Sequence, residues 1–248
     1  MLQRDVAPGI HRVEDAFTNW YLVEDGGRLT VVDAGVPTSW KSLHEALRTL
    51  GRAPGDVGAV VLTHAHFDHI GFAERARSAL GVSVWVHEND VPLTRHPLQY
   101  ARERSPLVYL ATKPKALPII ATLARSRAFF PKPIRELRRY GEDAGELDVP
   151  GRPRIVFTPG HTLGHCALHF PERDALIAGD AVVTLNPYTG AIGPQIVAQS
   201  ATADSERALR SLDAIAATGA GVVLPGHGRP WTEGAGAMAA AARNFGVT

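Results

Sequence analysis

The chain has a single cysteine, Cys166, among 248 residues, so no internal disulfide can form and nothing in the fold depends on an oxidising compartment. It lacks any run of about 18 apolar residues, which argues against a membrane-spanning helix. The N-terminal stretch MLQRDVAPGIHRVEDAF places charges early, and no apolar segment of the kind found in a secretory leader follows. An excess of one charge sign is missing too. The net charge is +1 with 21% charged residues, so there is no global bias toward nucleic acid or membrane. The expectation is a cytoplasmic chain with no membrane span and no nucleic-acid partner. A hydrophobic content of 45% over this length suffices for a substantial core.

What is present alternates. Residues 18–33 hold two β-rich runs around Asp25-Gly26-Gly27, a hairpin signal. Residues 38–50 carry Leu43, Ala46, Leu47 and Leu50 on one helical face, with Gly51 as the stop. Residues 58–62 form a buried strand, Phe72 to Leu80 a helix and Val82 to Val86 another strand. Strands recur at Arg154–Thr158, Cys166–Phe170, Ala175–Ala178 and Gly221–Leu224. Helices are expected at about 203–217 and 233–245. This alternation predicts an α/β fold; the length fits one large domain or two small ones, and the expectation is one, over residues 1–248.

Residues 92–148 break the pattern. Seven prolines between Pro92 and Pro133 divide the first two thirds of the segment into short pieces. Between Arg95 and Arg139 stand eleven Lys or Arg and two Glu, a net of +9, mixed with apolar residues such as Tyr109, Leu110, Ile119 and Phe130. The segment reads as a mostly helical insertion over the main fold. Three roles stay open: a lid over a substrate site, an amphipathic surface for a membrane or a homodimer, or a plain solvated face.

The chemistry is concentrated in histidine, of which there are eleven. His64, His66, Asp68 and His69 fall within six residues, directly after a strand. Imidazole and carboxylate suit zinc and its first-row neighbours. Alternation lets His64, His66 and Asp68 share a side while His69 turns toward a second point, so the cluster suits two metals better than one. Three more apolar strands end in the same manner: IVF leads to Pro159-Gly160-His161, ALIA to Gly179-Asp180 and VVL to Pro225-Gly226-His227. Ligands at strand ends, beside glycines that permit close backbone approach, suit a rigid metal site.

In order and spacing, THAHFDHIG, PGHTLGH, AGD and LPGHG resemble the motif series of the metallo-β-lactamase superfamily. The resemblance covers nearly the whole chain outside residues 92–148. It implies an αββα four-layer sandwich with the site at one edge between two sheets. It also implies two divalent metal ions per chain, zinc first, with manganese or iron as alternatives. His64, His66 and His161 would hold the first ion and Asp68, His69 and His227 the second, with Asp180 bridging both. Asp33 matches a supporting carboxylate that orients a ligand imidazole; its alternative is a simple turn residue before Gly35. His165 has a family counterpart that is not a ligand. His11, His44, His87, His96 and His169 read as structural or surface residues.

The expected function is hydrolysis of a small-molecule substrate by a hydroxide bridging the two metals, with Asp68 orienting it and passing a proton to the leaving group. An aspartate at 180 resembles the lactonase, glyoxalase-II-like and nuclease branches rather than true β-lactamases, where cysteine or serine is typical. The chain ends soon after His227, without the C-terminal extension of glyoxalase II or the flavodoxin-like domain of flavin-linked di-iron reductases. A small ester, lactone or thioester is the expected substrate. The rivals are a mononuclear iron persulfide dioxygenase and a phosphodiesterase or nuclease of the same superfamily.

Overall fold

The computed structural model describes all 248 residues. The N-terminal part begins β1 (Leu2–Ala7), β2 (Ile10–Asp15), β3 (Thr18–Asp25), β4 (Arg28–Val32), α1 (Ser39–Thr49), β5 (Val57–Val61), α2 (Ala73–Leu80) and β6 (Ser83–His87). Three short helices follow: α3 (Val91–Arg95), α4 (Pro106–Thr112) and α5 (Leu117–Arg125). Then comes β7 (Arg138–Tyr140). The C-terminal part runs β8 (Arg154–Phe157), β9 (Cys166–Phe170), β10 (Ala175–Gly179), β11 (Val183–Leu185), β12 (Ile192–Gln195), α6 (Ser205–Ala217), β13 (Val222–Pro225) and α7 (Ala235–Phe245).

The two parts build separate sheets. Strands β1 to β7 lie in sequence order in a seven-stranded sheet, antiparallel through β4 and parallel from there. The second sheet has the order β13-β10-β9-β8, and β11 pairs with β12 apart from it.

The pleat divides each strand's side chains between layers. Tyr21, Val23, Val32 and Val61 face Leu168, Ile177 and Leu224 across the space between the sheets. Their neighbours Leu22, Val31, Val60 and Leu62 face outward onto Leu43 and Leu47 of α1 and Ala73 and Ala76 of α2. On the far side Leu176, Ala178 and Val223 pack on Leu212 and Ile215 of α6 and on Met238 and Ala242 of α7. The layers are therefore helix, sheet, sheet, helix, the sandwich that the motifs imply.

Two regions differ from the sequence reading. Strands β1 and β2 were not expected, because LQRDVA and IHRVED are heavily charged. The charges are absorbed locally. His11 lies between Asp5 and Glu24, and Arg12 pairs with Glu14 and Asn19. Residues 92–148 are helical only in their first part. Arg138–Tyr140 rejoins the main sheet beside β6, with Tyr140 turned inward and its hydroxyl donating to the Leu62 carbonyl at 3.0 Å. No single helix is long and apolar enough to cross a membrane. The consecutive pieces Pro106–Thr112 and Pro114–Arg125 are bent by 102°. The inner face of α5, Ile119 and Leu123, packs with Ala128 on Val36 and Phe67, so the helical segment lies over the loop that follows β5.

Candidate metal centre

Every motif residue sits just past the C-terminal end of a strand: Asp33 after β4, His64 to His69 after β5, His161 after β8, Asp180 after β10 and His227 after β13. Strands of both sheets point these ends at one edge of the sandwich. The eight residues converge there, and none is more than 6% exposed.

They meet as two groups. Donor atoms of His64, His66 and His161 lie within 4.8 Å of one another, and so do those of Asp68, His69 and His227. Asp180 stands between them. Its Oδ2 is 3.5 Å from His161 Nε2 and 3.2 Å from His227 Nε2, and its Oδ1 is 3.6 Å from His69 Nε2.

The hydrogen bonds fix which nitrogen faces inward in four of the five rings. Asp33 Oδ2 accepts from His69 Nδ1 at 3.0 Å. The Thr63 hydroxyl donates to Asp33 and so can only accept from His64 Nδ1. Likewise Thr202 donates to the Val197 carbonyl and accepts from His161 Nδ1, and the Phe17 carbonyl accepts from His227 Nδ1 at 2.7 Å. With Nδ1 protonated, Nε2 of each of these four rings is the nitrogen that can offer a lone pair once the ring is neutral. The Nε2 atoms of His64, His66 and His161, and Asp180 Oδ1, are buried without any hydrogen-bond partner. Such orphaned buried acceptors are costly unless a cation occupies the space between them, so the donor set fits divalent metal. A third cluster, Asp33 with His64 and His69, is spatially close, but Asp33 already accepts from Thr63 and His69 with both oxygens.

The electrostatics agree. Burial holds the His64 and His161 imidazoles well below their ordinary value and takes His66 down to about 3, so these rings are neutral donors. At His69 burial opposes the charge, yet Asp180, Asp68 and Asp33 together push it up to about 10. Burial also opposes ionisation of Asp180, but His227 and His69 hold its carboxyl far below the usual carboxylate range. A proton on His69 and a divalent cation are alternative counter-charges for this cluster, so binding of a cation would release that proton.

Three supporting residues, Asp90, Arg12 and Asn19, escaped the sequence reading, which placed His165 only as a non-ligand. Asp90 is fully buried. Its Oδ2 accepts from the Ala65 amide at 3.0 Å and the Thr162 hydroxyl at 2.7 Å, and its Oδ1 accepts from the Gly164 amide at 2.8 Å. It thus clamps the His64–His69 loop to the loop of His161. His165 accepts from the Asp180 amide through Nε2 at 3.0 Å and bonds Thr158 through Nδ1 at 2.8 Å, so it positions Asp180. Arg12 and Asn19 both donate to the Gly228 carbonyl, and Asn19 also donates to that of Pro225. They tie the His227 loop to the first sheet. Gly226 must be glycine here, since a Cβ would lie 2.0 Å from Asp180 Oδ1. His11 and His87 are buried elsewhere.

A cavity of about 230 Å³ opens beside His66 and His161. Leu93, Gln99, Tyr100 and Leu163 line it, and no lysine or arginine does. The Tyr100 ring, from the helical segment, lies 4.5 Å from that of His66. A larger cleft of about 340 Å³, between Asp25, Arg152 and Arg173, lies away from this edge and contains none of the clustered donors.

The family model described as "Metallo-beta-lactamase superfamily" matches residues 13–227. The chain belongs to the metallo-beta-lactamase superfamily. Among curated relatives of this superfamily member is the probable metallo-hydrolase YflN of Bacillus subtilis, 26% identical over 92% of this chain and 87% of its own length. A metallo-beta-lactamase family protein from Thermus thermophilus shares 26% identity and superposes with a TM-score of 0.68, covering 96% of this chain and 78% of that one. TTHA1623, solved in a di-iron-bound form, also shares 26% identity, with a TM-score of 0.64 over 93% of this chain and 96% of its own.

Proposed function

We propose that the protein is a dinuclear metal-dependent hydrolase acting on a small ester, lactone or thioester. The observation that carries this reading is the pair of three-donor groups joined by Asp180. His64, His66 and His161 would hold one ion, Asp68, His69 and His227 the other, with Asp180 shared. Zinc suits the imidazole-rich set. Iron is the alternative, given the two irons of TTHA1623. Bound there, the ions supply Lewis acidity toward the scissile carbonyl and lower the pKa of water.

The chain's own residues do the rest. Asp68 Oδ2 accepts from the Thr18 hydroxyl at 3.3 Å and lies 3.5 Å from His227 Nε2. Asp68 would take the proton of the attacking water and deliver it to the departing oxygen or sulfur, which yields an acid and an alcohol or thiol. The cavity beside His66 would seat the acyl part of the substrate. Its lack of cations favours an uncharged acyl group over a phosphodiester. The complete second donor group disfavours the mononuclear persulfide dioxygenase reading.

The test is metal content per chain together with turnover on p-nitrophenyl esters, acyl lactones, acyl thioesters and bis(p-nitrophenyl) phosphate. Two equivalents of metal and acyl-bond cleavage without phosphodiester cleavage are expected. Asp68→Asn should lower kcat by about a hundredfold or more while some metal is retained. One iron per chain with oxygen uptake on glutathione persulfide would overturn the reading.

A further inference from the structure

The outer face of the helical segment has no use in the site described above. Of the eleven large apolar side chains exposed in the whole protein, six lie between Leu98 and Phe130. In α4, Tyr109 points inward, and its hydroxyl donates to the Thr248 carbonyl at 2.8 Å. Leu107, Val108 and Leu110 occupy the opposite arc, with 71%, 47% and 38% of their surface exposed. The chain then turns through 102° at Lys113 and Lys115 into α5, which starts with exposed Leu117. Gly190 abuts this corner so closely that a Cβ there would lie 2.7 Å from Lys115 Cβ, so the turn between β11 and β12, with exposed Ile192, borders it. Scattered exposed apolar residues are ordinary, whereas this concentration marks a contact surface.

The charges say what kind of contact. Seven lysines and arginines lie between Arg102 and Lys132, all exposed, and none has a carboxylate within 4.0 Å. The single acid of that stretch, Glu103, is taken up by Ser205 and Gln199. A second copy of the chain meeting this face symmetrically would set one unpaired cation cluster against another. An anionic lipid surface instead complements the cations and receives the leucines at its interface.

We infer that the bent α4–α5 corner is a docking surface for anionic membranes. The cavity mouth adjoins it, since Gln99, Tyr100 and Ala101 lead directly into this segment. Vesicle binding by this surface is read without turnover and so is independent of the reaction proposed above.

The test is co-sedimentation of the full chain with vesicles of phosphatidylcholine alone and of phosphatidylcholine with about 30 mol% phosphatidylglycerol. Binding is expected only to the anionic vesicles. It should fall as salt rises from about 0.1 M to about 0.5 M. Replacing Lys113 and Lys115 together by Gln should weaken binding by about fivefold for each cation removed. L107S/L110S should weaken it as well, with metal content and thermal unfolding unchanged in both variants. Absence of binding by the unmodified chain, or equal binding to neutral vesicles, overturns the inference. So does a dimer in light scattering that L107S/L110S converts to monomer without any vesicle binding, for the face would then join two copies.

Discussion

The Phe17 carbonyl accepts the Nδ1–H of His227 from the turn between β2 and β3, 210 residues away in sequence. That turn holds Ala16 at φ +52° and Phe17 at φ +65°, with Asp15 paired to Thr18 across it. Two-residue hairpin turns of this kind favour Asn-Gly, and a non-glycine side chain at positive φ carries strain. The strained turn thus aims a carbonyl that orients a candidate ligand. Ala16→Asn relieves part of the strain and should stabilise the protein by about 0.5–1 kcal/mol with metal content unchanged. Thermal unfolding and elemental analysis check both halves. A fall in melting temperature would mean that the turn is not strained.

Asp33 bonds His69 and Thr63 from a backbone at φ +60°, a conformation that asparagine also tolerates. Asp33→Asn should therefore keep the turn while removing the charge that holds His69 Nδ1–H. Affinity at the Asp68/His69/His227 group should fall by about 10–100-fold, with the other group affected less. Stepwise metal titration separates the two. An equal loss at both groups would point to a general folding defect.

A Cβ on residue 226 would meet Asp180 Oδ1 at 2.0 Å and His69 Cε1 at 2.9 Å. Gly226→Ala should displace the shared carboxylate and lower turnover by about a hundredfold, since misplacement of about 1 Å costs that much. Crystallography of the variant, with metal content, would show whether Asp180 has moved. An unmoved Asp180 with full metal loading contradicts the prediction.

Burial raises the Asp90 carboxyl from 3.8 to about 6, opposed by its bonds from Thr162, Gly164 and Ala65. Between these two values the native state keeps a proton that the unfolded chain has released. This group therefore costs stability at neutral pH, and that cost lessens as pH falls from about 6 toward 3.8. Asp90→Asn loses one acceptor at every pH but escapes the ionisation cost. Its stability relative to the unmodified protein should improve from pH 5 to pH 7 in denaturant titrations of the metal-free chains. A difference independent of pH would show that Asp90 does not titrate in this range.

The ligand-capable residues were legible because each lies in a short contiguous motif at the end of an apolar strand, as His161 does after Ile155-Val156-Phe157. The layers were legible for the same reason: the residues of β4, β5 and β10 are almost all buried, and such runs read clearly. Asp90 was not legible. In Glu88-Asn89-Asp90 it looks like a surface turn, and its burial depends on donors 25 to 74 residues away. Arg12 and Asn19 were hidden likewise, because their partners lie more than 200 residues downstream. The first hairpin was missed because its charged side chains pair with one another, and only the folded state shows that. Strand β7 was masked by Arg138 and Arg139, which remain exposed while Tyr140 alone turns inward.

Each three-donor group takes two residues from the first sheet's β5 loop and one from the second sheet's loops: His161 in one group, His227 in the other. An ion in either position therefore works as a staple between the N-terminal and C-terminal halves of the chain. Stability then becomes a function of the free metal concentration, rising by about 1.4 kcal/mol for each tenfold excess over the dissociation constant. A chelator would remove more than reactivity. It would lower the midpoint of a single transition, since the apolar core between the two sheets still couples them.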